Sequence, residues 1–93
     1  MIEFREDDIG YLDWLDAHPS GFVLNVRRNP DPNYVVLHRA DCGSITAARD
    51  HGAYTGRAYR KICALDVDEL RSAAQREGRK DGSFSRRCGL CGP

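Results

Sequence analysis

Four potential metal ligands occur in two closely spaced pairs, and this spacing constrains the fold more than any other feature of the sequence. His38 and Cys42 are separated by three residues, whereas Cys88 and Cys91 are separated by two. Three thiolates and one imidazole make a complete tetrahedral ligand set for structural Zn²⁺. Because the two pairs lie far apart in the chain, one shared ion would close a long loop and stabilise the fold. We therefore predict one structural zinc site formed by His38, Cys42, Cys88 and Cys91.

A fifth candidate ligand, Cys63, leaves the fourth zinc ligand open. Cys63 lies in an apolar segment, where a cysteine commonly packs as a small hydrophobic residue. We favour His38 over Cys63, although His38 alternates with Tyr34 and Val36 and could also be a core histidine. Two other interpretations remain: Cys88 and Cys91 are an accidental pair and Cys42 is a small buried hydrophobic residue, or Cys88 and Cys91 form a redox CxxC motif. Redox motifs of this kind normally open a helix after a strand.

A chain of this length has a small core, so a metal site would add to its stability. At 93 residues and 10.4 kDa, the chain predicts a single domain over residues 1–93, close to the size at which a metal often supplements the core. It contains no apolar run long enough for a membrane span, and its acidic beginning lacks the features of a signal peptide. We expect a cytoplasmic protein, and a reducing compartment favours metal binding over disulfides.

Hydrophobic periodicity predicts an α+β fold with two helices and three strands. A helix capped by Asp7 or Asp8 runs to about Ala17, and turn formers between segments 21–27 and 34–38 predict a hairpin. A third strand covers 59–65. A second helix begins after Asp66, with Glu69 placed as in a capping box, and ends at Gly78. The expected architecture is a three-stranded antiparallel sheet with an N-terminal and a C-terminal helix, closed by one structural zinc site.

Two segments resemble the Ada-type metal-binding domain. They are LHRADCGSI at residues 37–45 and CGLCGP at residues 88–93, and a strand and a capped helix ending in Gly lie between them. The resemblance spans roughly residues 34–93. It implies that His38, Cys42, Cys88 and Cys91 are the zinc ligands and that Cys63 occupies a core position.

The resemblance also limits the function that can be expected. In the DNA-repair members of that family, the first cysteine of the first pair accepts a methyl group from a DNA phosphotriester, and this position is His38 here. An imidazole cannot replace that thiolate. The resemblance therefore implies a zinc module of a kind that contacts DNA, accessory to a DNA-processing or repair protein, and not a repair enzyme.

Basic residues near the ligand pairs predict contacts with nucleic acid. The chain has 14 basic and 14 acidic residues, so binding through bulk charge is excluded, but its first 16 residues are acidic and the remainder is basic. Tyr54 and Tyr59 lie among the basic residues and could stack on bases. An ordinary solvated surface with salt links is the other interpretation. The predicted nucleic-acid-binding residues are Arg39, Arg49, Arg57, Arg60, Lys61, Arg86 and Arg87.

These patterns together favour a non-enzymatic recognition module that binds DNA. Four protein ligands leave no open coordination position for an activated water, and the sequence lacks a Ser-His-Asp arrangement and a phosphate-binding Gly loop. A second hypothesis is a protein-interaction or purely structural zinc module without nucleic-acid binding. In that case the acidic N-terminal helix, which carries Tyr11 and Trp14, would contact a protein partner.

Overall fold

The fold is described from a computed structural model that covers residues 1–46 and 54–93. Its strands are β1 (Ile2–Phe4), β2 (Phe22–Arg27), β3 (Val35–Arg39), β4 (Tyr59–Ala64) and β5 (Arg86–Arg87). Its helices are α1 (Asp8–Ala17) and α2 (Val67–Arg76), and a single 3₁₀ turn spans Gly43–Ile45. Among the described residues, no helix is long and apolar enough to cross a membrane.

The five strands form one mixed sheet in the order β1-β4-β2-β3-β5. All neighbouring pairs are antiparallel except β3 and β5, which are parallel. The α+β class and the β2–β3 hairpin are confirmed, but the prediction of three antiparallel strands is wrong. The two additional strands contain three and two residues, too few to show a period-two pattern, and each forms by pairing with a distant segment.

Both helices begin at the residues that the sequence indicates. The Asp7 side chain accepts a hydrogen bond from the backbone N–H of Gly10 at 2.9 Å and caps α1. The Asp66 side chain accepts from the N–H of Glu69 at 3.0 Å and caps α2. After α2 the chain reverses at Gly78, whose φ of 108° favours glycine.

The two helices cover opposite faces of the sheet. Leu70, Ala73 and Ala74 of α2 pack on one face, against a cluster that also contains Leu24, Val26, Val35, Leu37, Ile62 and Ala64. Tyr11 and Leu15 of α1 pack on the other face, where Val23 and Cys63 point. Cys42 and Cys88 belong to this second cluster, so the core beneath α1 continues into the candidate metal site.

Candidate metal centre and adjoining cavity

The four predicted ligands converge at one end of the sheet. One ligand atom from each of His38, Cys42, Cys88 and Cys91 lies within 4.8 Å of the others. His38 lies on β3, and Cys42 follows the turn after that strand. The parallel pairing of β5 with β3 carries Cys88 to the same end, where its N–H donates to the carbonyl oxygen of Leu37 at 2.9 Å. The arrangement could hold a metal ion.

The spacing and burial of these groups suit a shared ion. The Sγ atoms of Cys42 and Cys88 are 3.9 Å apart, and two thiolates bound tetrahedrally to one zinc would be separated by about 3.8 Å. His38, Cys42 and Cys88 are buried, whereas Cys91 is half-buried. All four cysteines of the chain are free thiols. Burying three thiols and an imidazole beside one another gives a donor set that a divalent cation would satisfy.

The ionisation of the site fits metal binding. Burial, followed by the charges of Lys61 and Arg86, lowers the pKa of His38 to about 4, so its imidazole is neutral near pH 7 and can donate an electron pair. Burial raises the pKa of the Cys88 thiol, but hydrogen bonds from the backbone N–H groups of Cys91 and Leu90 and from the side chains of Ser44 and Cys42 together outweigh it and lower the pKa to about 7. Burial and the neighbouring thiols raise the pKa of Cys91 to about 11. A bound cation would therefore be needed for Cys91 to ionise beside Cys88 near neutral pH.

Arg39 holds the second ligand pair in place. Its backbone N–H donates to Cys91 Sγ at 3.2 Å, and its guanidinium donates to the carbonyl oxygens of Cys91 at 3.0 Å and Gly92 at 3.1 Å. Gly92 has a φ of 58°, and its N–H closes the turn onto the carbonyl oxygen of Cys88 at 3.1 Å. Arg39 thus fastens the turn that carries Cys91 to the end of β3.

Cys63 lies outside the ligand cluster. Val23 on β2 pairs with His38 on one side and with Cys63 on the other, so the two candidate residues are separated by a whole strand, or about 10 Å. Cys63 is fully buried beneath α1, and burial raises the pKa of its thiol to about 12. Cys63 is therefore a core residue whose thiol stays protonated near neutral pH.

A cavity of about 530 Å³ adjoins the metal centre on the part of the sheet that α1 leaves uncovered. His38, Cys88 and Ser44 belong to its wall on the side of the metal centre. Its remaining lining is mainly aromatic, amide and basic, and none of the described residues that line it is Asp or Glu: Asn25, Asn33, Tyr34, Val36, Ile45, Tyr54, Tyr59, Lys61, Ser85, Arg86 and Leu90.

Lys61 is a buried cation in the wall of this cavity. Only 4% of the residue is exposed, and its Nζ donates to the carbonyl oxygen of Tyr54 at 2.8 Å. The same nitrogen lies 5.4 Å from the centre of the Tyr59 ring and 5.7 Å from that of Tyr11. Burial lowers the pKa of Lys61 to about 8, although the Asp8 carboxylate opposes this shift. An anionic group in the cavity would therefore meet a poorly solvated positive charge.

The predicted nucleic-acid-binding residues do not form one surface. Arg60 is 3% exposed and lies on the face covered by α2, where it forms a buried ion pair with Glu77. The guanidinium of Arg87 donates to the carbonyl oxygen of Pro93 at 3.0 Å, and that of Arg39 donates to the carbonyl oxygens of Cys91 and Gly92. Arg57 is exposed. Arg49 lies outside the described residues.

Of the predicted nucleic-acid-binding residues, Lys61 and Arg86 both line the cavity. Three residues that were not predicted lie beside them: Asn25, Tyr34 and Arg27. Asn25 and Tyr34 line the cavity, and the guanidinium of Arg27 lies 4.5 Å over the Tyr34 ring. The alternation of side chains along a strand indicates the position of Asn25. Because it lies between Leu24 and Val26, its side chain must face away from the α2 core. Asn25 is not among the predicted site residues.

Comparison with known proteins adds no assignment: no protein-family model matches the chain, and neither a curated protein nor a solved structure matches it significantly. The resemblance to the Ada-type domain stays a prediction drawn from the ligand motifs.

Proposed function

We propose that the chain is a recognition module whose fold is completed by one structural Zn²⁺. Three thiolates and a neutral imidazole are the donors of closed structural zinc sites, and all four coordination positions would be occupied by protein. No position would be left for a reacting water, so the module is proposed to be non-enzymatic. Zinc bound by three thiolates would carry a single net negative charge, which Lys61 and Arg86 would offset.

The ligand proposed for this module is DNA. One observation carries the proposal: beside the metal centre, the uncovered sheet face concentrates cationic and aromatic side chains without a carboxylate in the described lining. Cations bind phosphates, and aromatic rings stack on bases of any sequence. The resemblance to the Ada-type domain supports the same ligand. A role as an accessory module of a cytoplasmic DNA-processing or repair protein is part of this proposal.

Salt-dependent binding tests the DNA proposal. Fluorescence anisotropy of labelled DNA, measured with the zinc-loaded chain over a range of salt concentrations, is expected to show a logarithmic affinity that falls linearly with logarithmic salt. Two or three phosphate contacts give a slope of about −1.4 to −2 for single strands. Absence of binding to single-stranded and duplex DNA at low salt would refute the proposal.

A protein partner for α1 is the second candidate function. Ile9 on α1 is 75% exposed, and the acidic residues Asp7, Asp13 and Asp16 of the same segment are exposed as well. Tyr11 is fully buried and Trp14 half-buried, so Ile9 is the large apolar side chain that this helix exposes to solvent. A basic protein surface with an apolar pocket would complement it. Loss of partner binding on Ile9→Ser, with DNA binding unchanged, would assign that function to α1.

A further inference from the structure

We propose that the cavity takes up a single unstacked nucleotide of single-stranded DNA, with the base against its tyrosines and a phosphate at Lys61 and Arg86. This inference rests on the proposed DNA-binding function and specifies the form of DNA that binds. It begins from the burial of Lys61 in the wall of the cavity, which a flat ligand surface could not reach.

The burial of Lys61 in the cavity wall selects against a double helix. Lys61 contributes to its wall yet is only 4% exposed, so a ligand must enter the cavity to reach the ammonium group. Phosphates of a duplex lie on the outside of a rigid helix, and its bases are stacked and paired. A single strand can instead turn one nucleotide out of the stack and insert it into a recess. The volume of about 530 Å³ lies within the range of small-ligand pockets.

Aromatic side chains supply a surface for the base. Tyr34 and Tyr59 both line the cavity and pack against each other with ring centres 5.6 Å apart. Tyr54 lines it as well, and its hydroxyl donates to the carbonyl oxygen of Thr46 at 2.8 Å, which fixes the ring. All three residues are half-exposed. Rings held in place by neighbours can stack on a base without a large loss of side-chain entropy.

The polar groups of the cavity match the remainder of a nucleotide. Lys61 and Arg86 provide two positive charges, of which the zinc site would offset one; Asp8 acts on Lys61 but does not belong to the lining, which among the described residues contains no carboxylate. The Nδ2 group of Asn25 donates to the Tyr34 hydroxyl at 3.3 Å, whereas its buried Oδ1 has no partner among the described residues. An exocyclic amino group of a base could satisfy this oxygen after a small adjustment of the side chain. The cavity therefore brings together tyrosine rings that can stack on a base, two cations that can bind a phosphate, and the amide of Asn25.

The test compares three labelled probes on the zinc-loaded chain: a short single strand, the same strand with every internal base removed, and a matched duplex. All three keep phosphate charges, so they separate base contacts from backbone contacts. We expect the single strand to bind about tenfold or more tightly than the abasic strand, because stacking contributes strongly per base. The duplex is expected to bind more weakly than the intact single strand.

Variants locate the contact. Tyr59→Leu is expected to weaken single-strand binding about fivefold or more, while Tyr59→Phe, which keeps the ring, retains it. Arg86→Gln removes a charge at the cavity, and Arg71→Gln removes one from the exposed surface of α2 on the opposite face. The first is expected to weaken binding severalfold and the second by less than about twofold. Zinc content and the thermal melt of each variant show that the fold is intact.

The outcomes separate the two proposals. Equal affinity for intact and abasic strands, tighter binding of the duplex, or unchanged binding by folded Tyr59→Leu would overturn the nucleotide cavity and leave DNA binding in place. Absence of binding to every probe at low salt would overturn the DNA-binding proposal and this inference together.

Discussion

The buried ion pair between Arg60 and Glu77 allows a worked prediction about stability. Arg60 is 3% exposed and Glu77 5% exposed. A second contact between them, from Arg60 Nη1 to Glu77 Oε2, measures 3.2 Å. At an effective dielectric constant of about 20, unit charges at that separation attract by about 5 kcal/mol. Removing both charges from water costs several kcal/mol for each, so the pair as a whole adds little net stability.

Removing only the arginine leaves a buried carboxylate without its cation. We expect Arg60→Met to lower the free energy of unfolding by about 3 to 5 kcal/mol. Urea unfolding measures this loss: with an m value of about 1.5 kcal/mol/M, a loss of about 4 kcal/mol moves the midpoint by about 2.7 M. Glu77→Gln should cost less, because Arg60 keeps a contact with Glu3 at 3.4 Å and a hydrogen bond to the carbonyl oxygen of Arg27 at 3.0 Å.

The matched control replaces both partners. Arg60→Met combined with Glu77→Leu should recover most of the loss, because no buried charge is then unpaired. Folded Arg60 variants should also keep single-strand DNA affinity within about twofold, in contrast to Arg86→Gln. A single Arg60→Met variant within about 1 kcal/mol of the wild type, or a double variant no more stable than that single variant, would refute this reasoning.

Three further predictions concern the metal site and the core. His38→Ala should abolish stoichiometric zinc binding, whereas Cys63→Ala should keep one zinc per chain, as measured by native mass spectrometry; loss of zinc only in the Cys63 variant would reverse the ligand assignment. The pKa of Lys61 is lowered to about 8 from 10.5, so above pH 8 the unfolded chain binds more protons than the folded chain. The stability of the wild type relative to Lys61→Met should therefore rise by up to about 3 kcal/mol between pH 8 and 10.5; a difference in urea midpoints that does not change with pH would contradict this. The buried Tyr11 hydroxyl donates to the carbonyl oxygen of Ile45 at 3.1 Å, so Tyr11→Phe should cost about 1 to 3 kcal/mol in urea unfolding, and an unchanged midpoint would count against that bond.

Local signals in the sequence were sufficient for the elements that depend on local interactions. Asp66 with Glu69 predicts the start of α2, and Gly78 its end, because caps act within one turn of the chain. The four ligands of the candidate site were found for a similar reason, since each pair has the close spacing that a shared ion requires. The separation of Cys63 from that group appears only when the register of β2 between β3 and β4 is known.

The features that the sequence analysis missed depend on pairing between distant segments. β5 exists because residues 86–87 lie parallel to β3, and nothing within those two residues indicates a strand. Arg60 was expected at a surface because charged residues usually are exposed. It alternates with Ile62 and Ala64, however, and therefore shares their buried face, where Glu77 can meet it only after α2 has packed. The cavity is likewise formed by side chains from segments far apart in the chain.

Zinc content with and without chelation tests the central claim most directly. Native mass spectrometry of the protein purified without added metal, paired with thermal melts before and after chelation, should show one zinc per chain and a cooperative melt that is lost when the zinc is removed. A chain that contains no metal and melts identically in both samples would contradict the account.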